Sequence, residues 1–423
     1  MKGSVRKARS GGGSAAATLL AVTALGILAS EAPAEEVRVS NVDALRKAVR
    51  AAKPGTKILL EPGEYSGGMQ FDNVGGDDGS PITIAAADPA HPPVIRGGSG
   101  GLHLTDAVHV VLESLVVAGA TGNGINIDDG GSFDTPARRI VLRKLQVRDI
   151  GAKGNQDGIK LSGVTDFVVE DCTIERWGTG GGSGIDMVGC HRGVIERCTF
   201  RHVDEEGSTG VQAKGGSSDL TVRSNRFERA GGRAVNAGGS TGLPFFRPPL
   251  EGAAGAEGTR CEAKRIVVEG NVFVGGGAAV AFVGVDGATF RFNTVYRPKR
   301  WACRILQENR SPGFVPSRNG EFTDNLVVFE AGAWGGAANV GPNTAPETFR
   351  FARNVWYAVD APASSRPSLP AKEDGGVWGK DPLLADPDRG DFSVPAASPA
   401  HGAGAHAYAP LKTRGAPAEP AAK

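Results

Sequence analysis

Charge of one sign, aromatic residues and cysteine are all scarce in this 423-residue chain. The formal net charge is +1, aromatics make up 6%, and there are five cysteines, at positions 172, 190, 198, 261 and 303. The balanced charge excludes general nucleic-acid binding through a basic surface, so an anionic ligand has to be met by a local patch. Cysteine spacing carries no metal-ligand signature. Helical periodicity is confined to one short stretch, VDALRKAVRAA (42–52), with Ser40 or Asn41 as its cap. No stretch beyond the N-terminal one is apolar enough to span a membrane. What the chain has in quantity is glycine, 63 residues. Many glycines and few aromatics suit tight turns around a narrow stacked core.

The first 34 residues read as a secretory signal. Lys2, Arg6, Lys7 and Arg9 precede an Ala-rich apolar run that starts at Ala15, and EAPA supplies a small-x-small site with cleavage expected after Ala34. That run is too short for a comfortable span, and no cysteine follows it to carry a lipid. Export to a periplasm or the medium is therefore expected. Removing four cations and one anion (Glu31) leaves 43 basic and 45 acidic residues, a net charge of −2.

The rest is repetitive. GIKLSGV (158–164), GIDMVGC (184–190), GVQAKGG (210–216) and RAVNAGG (233–239) are each followed by a second apolar-alternating run: FVVEDCTI, GVIERCTF, LTVRSNRF and IVVEGNVF. The first units recur every 26 or 27 residues. A fixed period of that size means stacked units that bury their apolar faces only against their neighbours. Strand after strand without helices between predicts an all-β, right-handed, single-stranded parallel β-helix. The helix at 42–52 is expected to cap its open N-terminal end, where bare edges invite aggregation. Residues 35–405 form the solenoid in this reading, and 406–423 a disordered Ala/Pro-rich tail.

Aligning the second runs puts Cys172, Cys198, Asn225, Asn271, Asn293, Asn325 and Asn354 in one column. An Asn amide there can bond the next rung, roughly 4.8 Å away. Cys172 and Cys198 are spaced either for a disulfide or for two stacked free thiols. Val168, Ile174, Val194, Phe200, Val222, Phe227, Val268 and Phe273 are expected to point inward.

The helix before KILLEPGEY, the V-x-x-N-x-F rungs and the DPLLAD…GDFSV…SPA ending resemble secreted right-handed β-helix proteins of the pectate-lyase-like superfamily. Within it, GVQAKGGSSDLTVRSNRF (210–227) resembles the segment around the catalytic lysine of polysaccharide lyase family 6, which includes chondroitinase B and alginate lyases. The resemblance implies β-elimination on an acidic, uronic-acid polysaccharide. Lys214 would be the base, with Arg233 helping on the substrate carboxylate, although the family places its arginine where this chain has Gly238. It also implies calcium, for which Asp186, Glu205 and Glu206 are the nearest oxygen donors.

Outward strand positions form two polar columns: Asn126, Lys160, Asp186, Gln212 and Asn236, then Asp128, Ser162, Val188, Lys214 and Gly238. Lys160, Asp186, Gln212 and Asn236 are expected to line the substrate. A long interruption at 240–264 stretches one repeat to 46 residues. It is expected to wall this face, with Phe245, Phe246 and Arg247 in contact with substrate. Arg304, in the basic run YRPKRWACR (296–304), extends the same surface. Two readings compete with a lyase. NQDGIK (155–160) resembles the N-x-D-G motif of polygalacturonase-type hydrolases, with Asp157 and Asp186 as paired acids near His191. The other is a non-catalytic carbohydrate-binding or structural β-helix. The expected partner is an acidic polysaccharide, met by a monomer.

Overall fold

The computed structural model describes residues 35–203, 206–250 and 258–409. The expected signal and residues 410–423 of the tail lie outside them. Three parallel sheets of 13, 10 and 12 strands are built from these residues. From Lys57–Leu60 to Val355–Ala358 the chain visits them in rotation, one strand in each per turn, which makes a parallel β-helix. Among the described residues no helix is long and apolar enough to cross a membrane.

The corner between the 13-stranded and 12-stranded sheets explains the Asn column. One residue turns the chain there in left-handed backbone conformation, as at Asp171 (φ 54°), Arg197 (φ 53°), Ser224 (φ 53°) and Asp324 (φ 58°). The next residue points inward, and from Asn225 on it is asparagine. Asn271 Oδ1 accepts the Asn225 N–H at 2.9 Å, and its Nδ2 donates to the Val222 carbonyl of the previous rung at 2.9 Å. The pattern repeats through Asn293, Asn325 and Asn354, which closes on Glu373. All of these asparagines are buried. Each satisfies backbone groups that the sharp corner removes from the regular ladder. Cys172 and Cys198 stand in the same column with free thiols, the Cys172 N–H lying 3.4 Å from the Cys198 sulfur.

Behind the ladder, Phe200, Phe227 and Phe273 stack at centroid spacings of 4.7 and 4.8 Å, following the rung repeat. Ile174, Val222 and Val268 point inward as expected, but Val168 and Val194 point outward. Their neighbours Phe167, Val169 and Ile195 fill the core instead. The left-handed residues Asp166 and Arg192 set the parity of those strands. Phe167, Gly193, Leu220 and Ile266 align inward, leaving Val168, Val194 and Thr221 as an outward column. A one-residue offset exchanges the two faces.

The helix Val42–Ala51 is capped by the Asn41 side chain, which accepts the Ala44 N–H, and it buries Leu45, Ala48 and Val49 in the main core. A short strand, Glu36–Val39, precedes it and forms the terminal strand of the 13-stranded sheet. At the other end the chain folds back over the 12-stranded sheet. Phe392, Ala400 and Ala403 pack against Tyr296, Leu326 and Val355. Tyr408 donates to Glu269 at 2.8 Å. Tyr408, within the segment expected to be disordered, is thus tied to the coil.

The ladder makes a stability prediction. Asn271→Ala strips the acceptor from the Asn225 N–H and the donor from the Val222 carbonyl, two buried backbone groups. The expected loss is about 3 kcal/mol in urea denaturation, given roughly 1–3 kcal/mol per buried group left unsatisfied. A loss below about 1 kcal/mol would mean that the column is decorative.

Candidate active site

The register of the 10-stranded sheet brings the first polar column together. Asn126, Lys160, Asp186, Gln212 and Asn236 are successive partners across adjacent strands, continued by Ala281, Arg304 and Asn339. Lys214 aligns with Val188 in the second column and reaches diagonally back. Its Nζ lies 3.2 Å from Asp186 Oδ2. Lys160 binds the same oxygen from the opposite rung. One carboxylate is thus bracketed by two ammonium groups on three successive strands. Asp186 is 0% exposed, and its Oδ1 has no hydrogen-bond partner. The two lysine side chains retain 19% and 15% exposure, so they are the part of the cluster that reaches the surface.

Asp157 lies beneath. It is 1% exposed, accepts the Ser183 N–H at 2.8 Å, and faces Lys160 Nζ at 3.7 Å. Burial, together with the charge of Asp186, pushes its carboxyl up to about 7 against the opposing pull of Lys160. Burial alone would lower the Lys160 ammonium, but Asp186 and Asp157 outweigh it and hold it above the ordinary lysine value. The two carboxylates expected of a hydrolase are therefore neighbours, yet both are sealed under the lysines. His191 is not among them. It sits at the start of a strand of the 13-stranded sheet, with Nδ1 3.0 Å from Ser218 Oγ.

Arg233 does not stand beside Lys214. The register places it level with Thr209, at the opposite end of the strand, about 16 Å along the backbone. Its guanidinium is held by Glu308 at 2.6 Å and reaches Asn236 Oδ1 at 3.4 Å. Arg304 follows in the same column, its Nε donating to Asn339 at 3.0 Å and its guanidinium 4.5 Å from the Trp301 ring centre. Burial and the nearby cations Arg233 and Arg300 hold Arg304 below the usual arginine value, although Glu308 opposes them. Lys160 and Arg304 thus hold the same level of the sheet, with Lys214 two residues to one side of it and Arg233 three residues to the other. Five rung steps separate Lys160 from Arg304, about 24 Å.

The long loop behaves differently from the expected wall of contacts. Phe245 is exposed, but Phe246 is buried edge-on against Phe314 at 5.5 Å. Arg247 is drawn along the corner to Asp129, with Nε 2.7 Å from Oδ2. Its backbone runs so close to Gly216 that a β-carbon there would lie 2.4 Å from the Arg247 carbonyl oxygen. Phe246 and Arg247 anchor the loop instead of presenting it to substrate. Sequence reasoning missed these anchors, Asp129 and Glu262. Asp129 directly follows Asp128 and Glu262 stands alone, and neither lies in a motif that points to a distant partner.

The expected calcium donors do not fit a cation. Asp186 already faces two ammonium groups, Glu206 pairs with Arg300 at 2.8 Å, and Glu205 lies outside the described residues. Among the described residues no group of three or more acidic, His or Cys side chains is arranged to hold a metal ion.

Asp157 supplies a pH prediction. Its folded carboxyl titrates near 7, whereas the unfolded one titrates near 3.8. Between those values the native state holds a proton that the unfolded chain has released, so this group's contribution to stability falls as pH rises and is gone above about 7. Asp157→Asn keeps an acceptor for Ser183 and cannot ionise. Its stability relative to the parent should therefore rise from pH 4.5 to 7.5, measured by denaturation. A difference that does not change with pH would count against the assignment.

Residues 100–295 match the family model for the right handed beta helix region. No curated protein matches the chain. Among solved structures, the PL6 family polysaccharide lyase Pedsa3628 from Pseudopedobacter saltans aligns over 88% of this chain and 99% of its own, at 14% identity and TM-score 0.55. The alginate lyase from Paenibacillus sp. str. FPU-7 aligns over 73% of this chain and 96% of its own, at 19% identity and TM-score 0.48. The mannuronan C-5 epimerase AlgE6 A-module of Azotobacter vinelandii covers 79% of this chain and 93% of its own, at 15% identity and TM-score 0.48. Identities this low speak to the fold alone. With the three-sheet coil and its rung register, the family-model match and the Pedsa3628 alignment make this chain a right-handed parallel β-helix protein.

Proposed function

We propose that the protein is an exported polysaccharide lyase that cleaves a uronic-acid polymer by β-elimination, with Lys214 as the base. The observation that carries this reading is the Lys160–Asp186–Lys214 bracket on the outward face. It offers positive charge to an anionic sugar and a lysine nitrogen fixed in one place. The polymer lies across the strands from Lys160 towards Arg304, and Lys160 with the Gln212 amide meets the carboxylate of the reacting sugar. Neutralising that carboxylate acidifies the adjacent C–H bond.

Lys214 must arrive as the free amine. Its proton passes to solvent before the reaction, and Asp186, with Oδ2 3.2 Å away, takes no proton in the step but holds the Lys214 nitrogen in place. The amine then removes the proton on the carbon beside the carboxylate. The freed electron pair forms the carbon–carbon double bond, and the bond to the leaving sugar oxygen breaks. That oxygen takes up a proton from water or from the Lys214 ammonium, so no oxidant, reductant or metal step is required. Arg233, at the far end of its strand, serves a neighbouring sugar instead of the reacting one. A hydrolase is disfavoured by the burial of both Asp157 and Asp186.

The test is a panel of alginate, chondroitin and dermatan sulfates, pectate and heparinoids, each with and without added calcium. Ultraviolet absorbance of the unsaturated product reports elimination, and reducing ends report hydrolysis. On the active polymer, Lys214→Ala should lose at least about a hundredfold in kcat. Lys214→Arg should be about as slow, because a guanidinium does not release its proton near neutral pH. An arginine variant that keeps most of its activity would make Lys214 a binding charge only. Failure to cut any polymer would favour a carbohydrate-binding module.

A further inference from the structure

Glu262 is fully buried just before the strand Ala263–Glu269, opposite the corner that follows Lys214. Every partner of its carboxylate is a donor. Oε2 accepts the Gly215 N–H at 3.0 Å and the Thr241 hydroxyl at 2.8 Å. Oε1 accepts the Thr241 N–H at 2.9 Å and Asn309 Nδ2 at 2.8 Å. Its backbone adds two bonds, the Gly216 N–H to its carbonyl at 2.9 Å and its own N–H to the Gly284 carbonyl at 2.8 Å. One residue thus ties down the chain just beyond four consecutive strands of the 10-stranded sheet, which end at Lys214, Gly238, Val283 and Leu306. Gly215 is the residue directly after Lys214 and is itself left-handed (φ 65°). Across from it, Gly239 faces the Lys214 side chain so closely that a β-carbon there would lie 3.3 Å from Lys214 Cδ. Thr241, two residues on, is held by the same carboxylate.

The geometry assigns Glu262 the role of a positioning residue, clamping both sides of the Lys214 side chain so that its ammonium stays on Asp186. The assignment rests on the proposed role of Lys214, but its test does not need a substrate. A glutamine at 262 must turn its NH2 group toward an N–H donor on whichever side it takes, losing the Gly215 bond on one side (where the Thr241 hydroxyl can turn to accept) or the Thr241 N–H and Asn309 bonds on the other. Lys214 then swings off Asp186, while Lys160, held from the other rung, does not.

Peptide mapping by mass spectrometry, after brief labelling of the full folded chain with an amine-reactive reagent, reads this directly. In Glu262→Gln the labelling rate of Lys214 should rise at least about fivefold, with Lys160 unchanged as the internal reference. Thr241→Val removes only the hydroxyl bond to Oε2 and should give a rise of about twofold, which decides the matter if the glutamine variant does not fold. On an active polymer, Glu262→Gln should lower kcat with little change in KM. Unchanged Lys214 labelling in the folded variants, or an equal rise at Lys160, would overturn the positioning role. A selective rise at Lys214 with no polymer cut would uphold the clamp and count against the lyase instead.

Discussion

Everything in this molecule depends on the rung-to-rung hydrogen-bond register of its parallel strands. Because each strand pairs in register with the one a turn earlier, a side chain meets its own positional equivalents above and below, at a spacing near 4.8 Å. That constraint makes the core a set of columns, visible in the Phe200–Phe227–Phe273 stack and the Asn225–Asn354 ladder. The same constraint makes the outer face a set of columns. Lys160 and Asp186 meet because they hold the same place in consecutive turns.

Columns of this kind are legible in a sequence, and most of the fold was. Repeat spacing identifies the strands, and the Asn column identifies a corner. The glycine-flanked G-[IV]-x-[LMA]-x segments assign outward positions that the 10-stranded sheet reproduces residue by residue. Strand parity was less legible where a left-handed residue interrupts a run. Val168 and Val194 look core-bound by composition, but Asp166 and Arg192 shift the alternation by one. Arginine does not announce a positive φ, and aspartate, though enriched there, is too common elsewhere to mark the position by itself.

The site was legible only as far as the columns reach. Lys160, Asp186, Gln212 and Lys214 follow from alternation, and their juxtaposition follows from register. Arg233 was misjudged because sharing a strand with the next rung's polar residues does not mean sharing their level. Its partner Glu308 is 75 residues away. Asp129, which takes Arg247 from 118 residues off, and Glu262, which ties Gly215 to Asn309, lie outside any repeat. Such contacts are set by where a long loop lands, and no periodicity encodes that.

Regularity also limits what a solenoid can do. A perfect repeat would give every lysine on the face the same surroundings, and like charges stacked at rung spacing would repel. Chemistry needs one position to differ from its neighbours. Here the difference enters in two ways. Asp186 stands in the outward polar column, drawing two lysines onto one buried carboxylate. The 240–264 interruption breaks the coil itself, delivering the buried pair Arg247–Asp129 and the four-donor grip of Glu262. Desolvating such ions is costly, and apolar packing would hold a corner at least as well, so stability is a weak reason for their presence. Fixed charges with directional bonds do what apolar packing cannot. They define the distance and orientation of the chain on either side of Lys214.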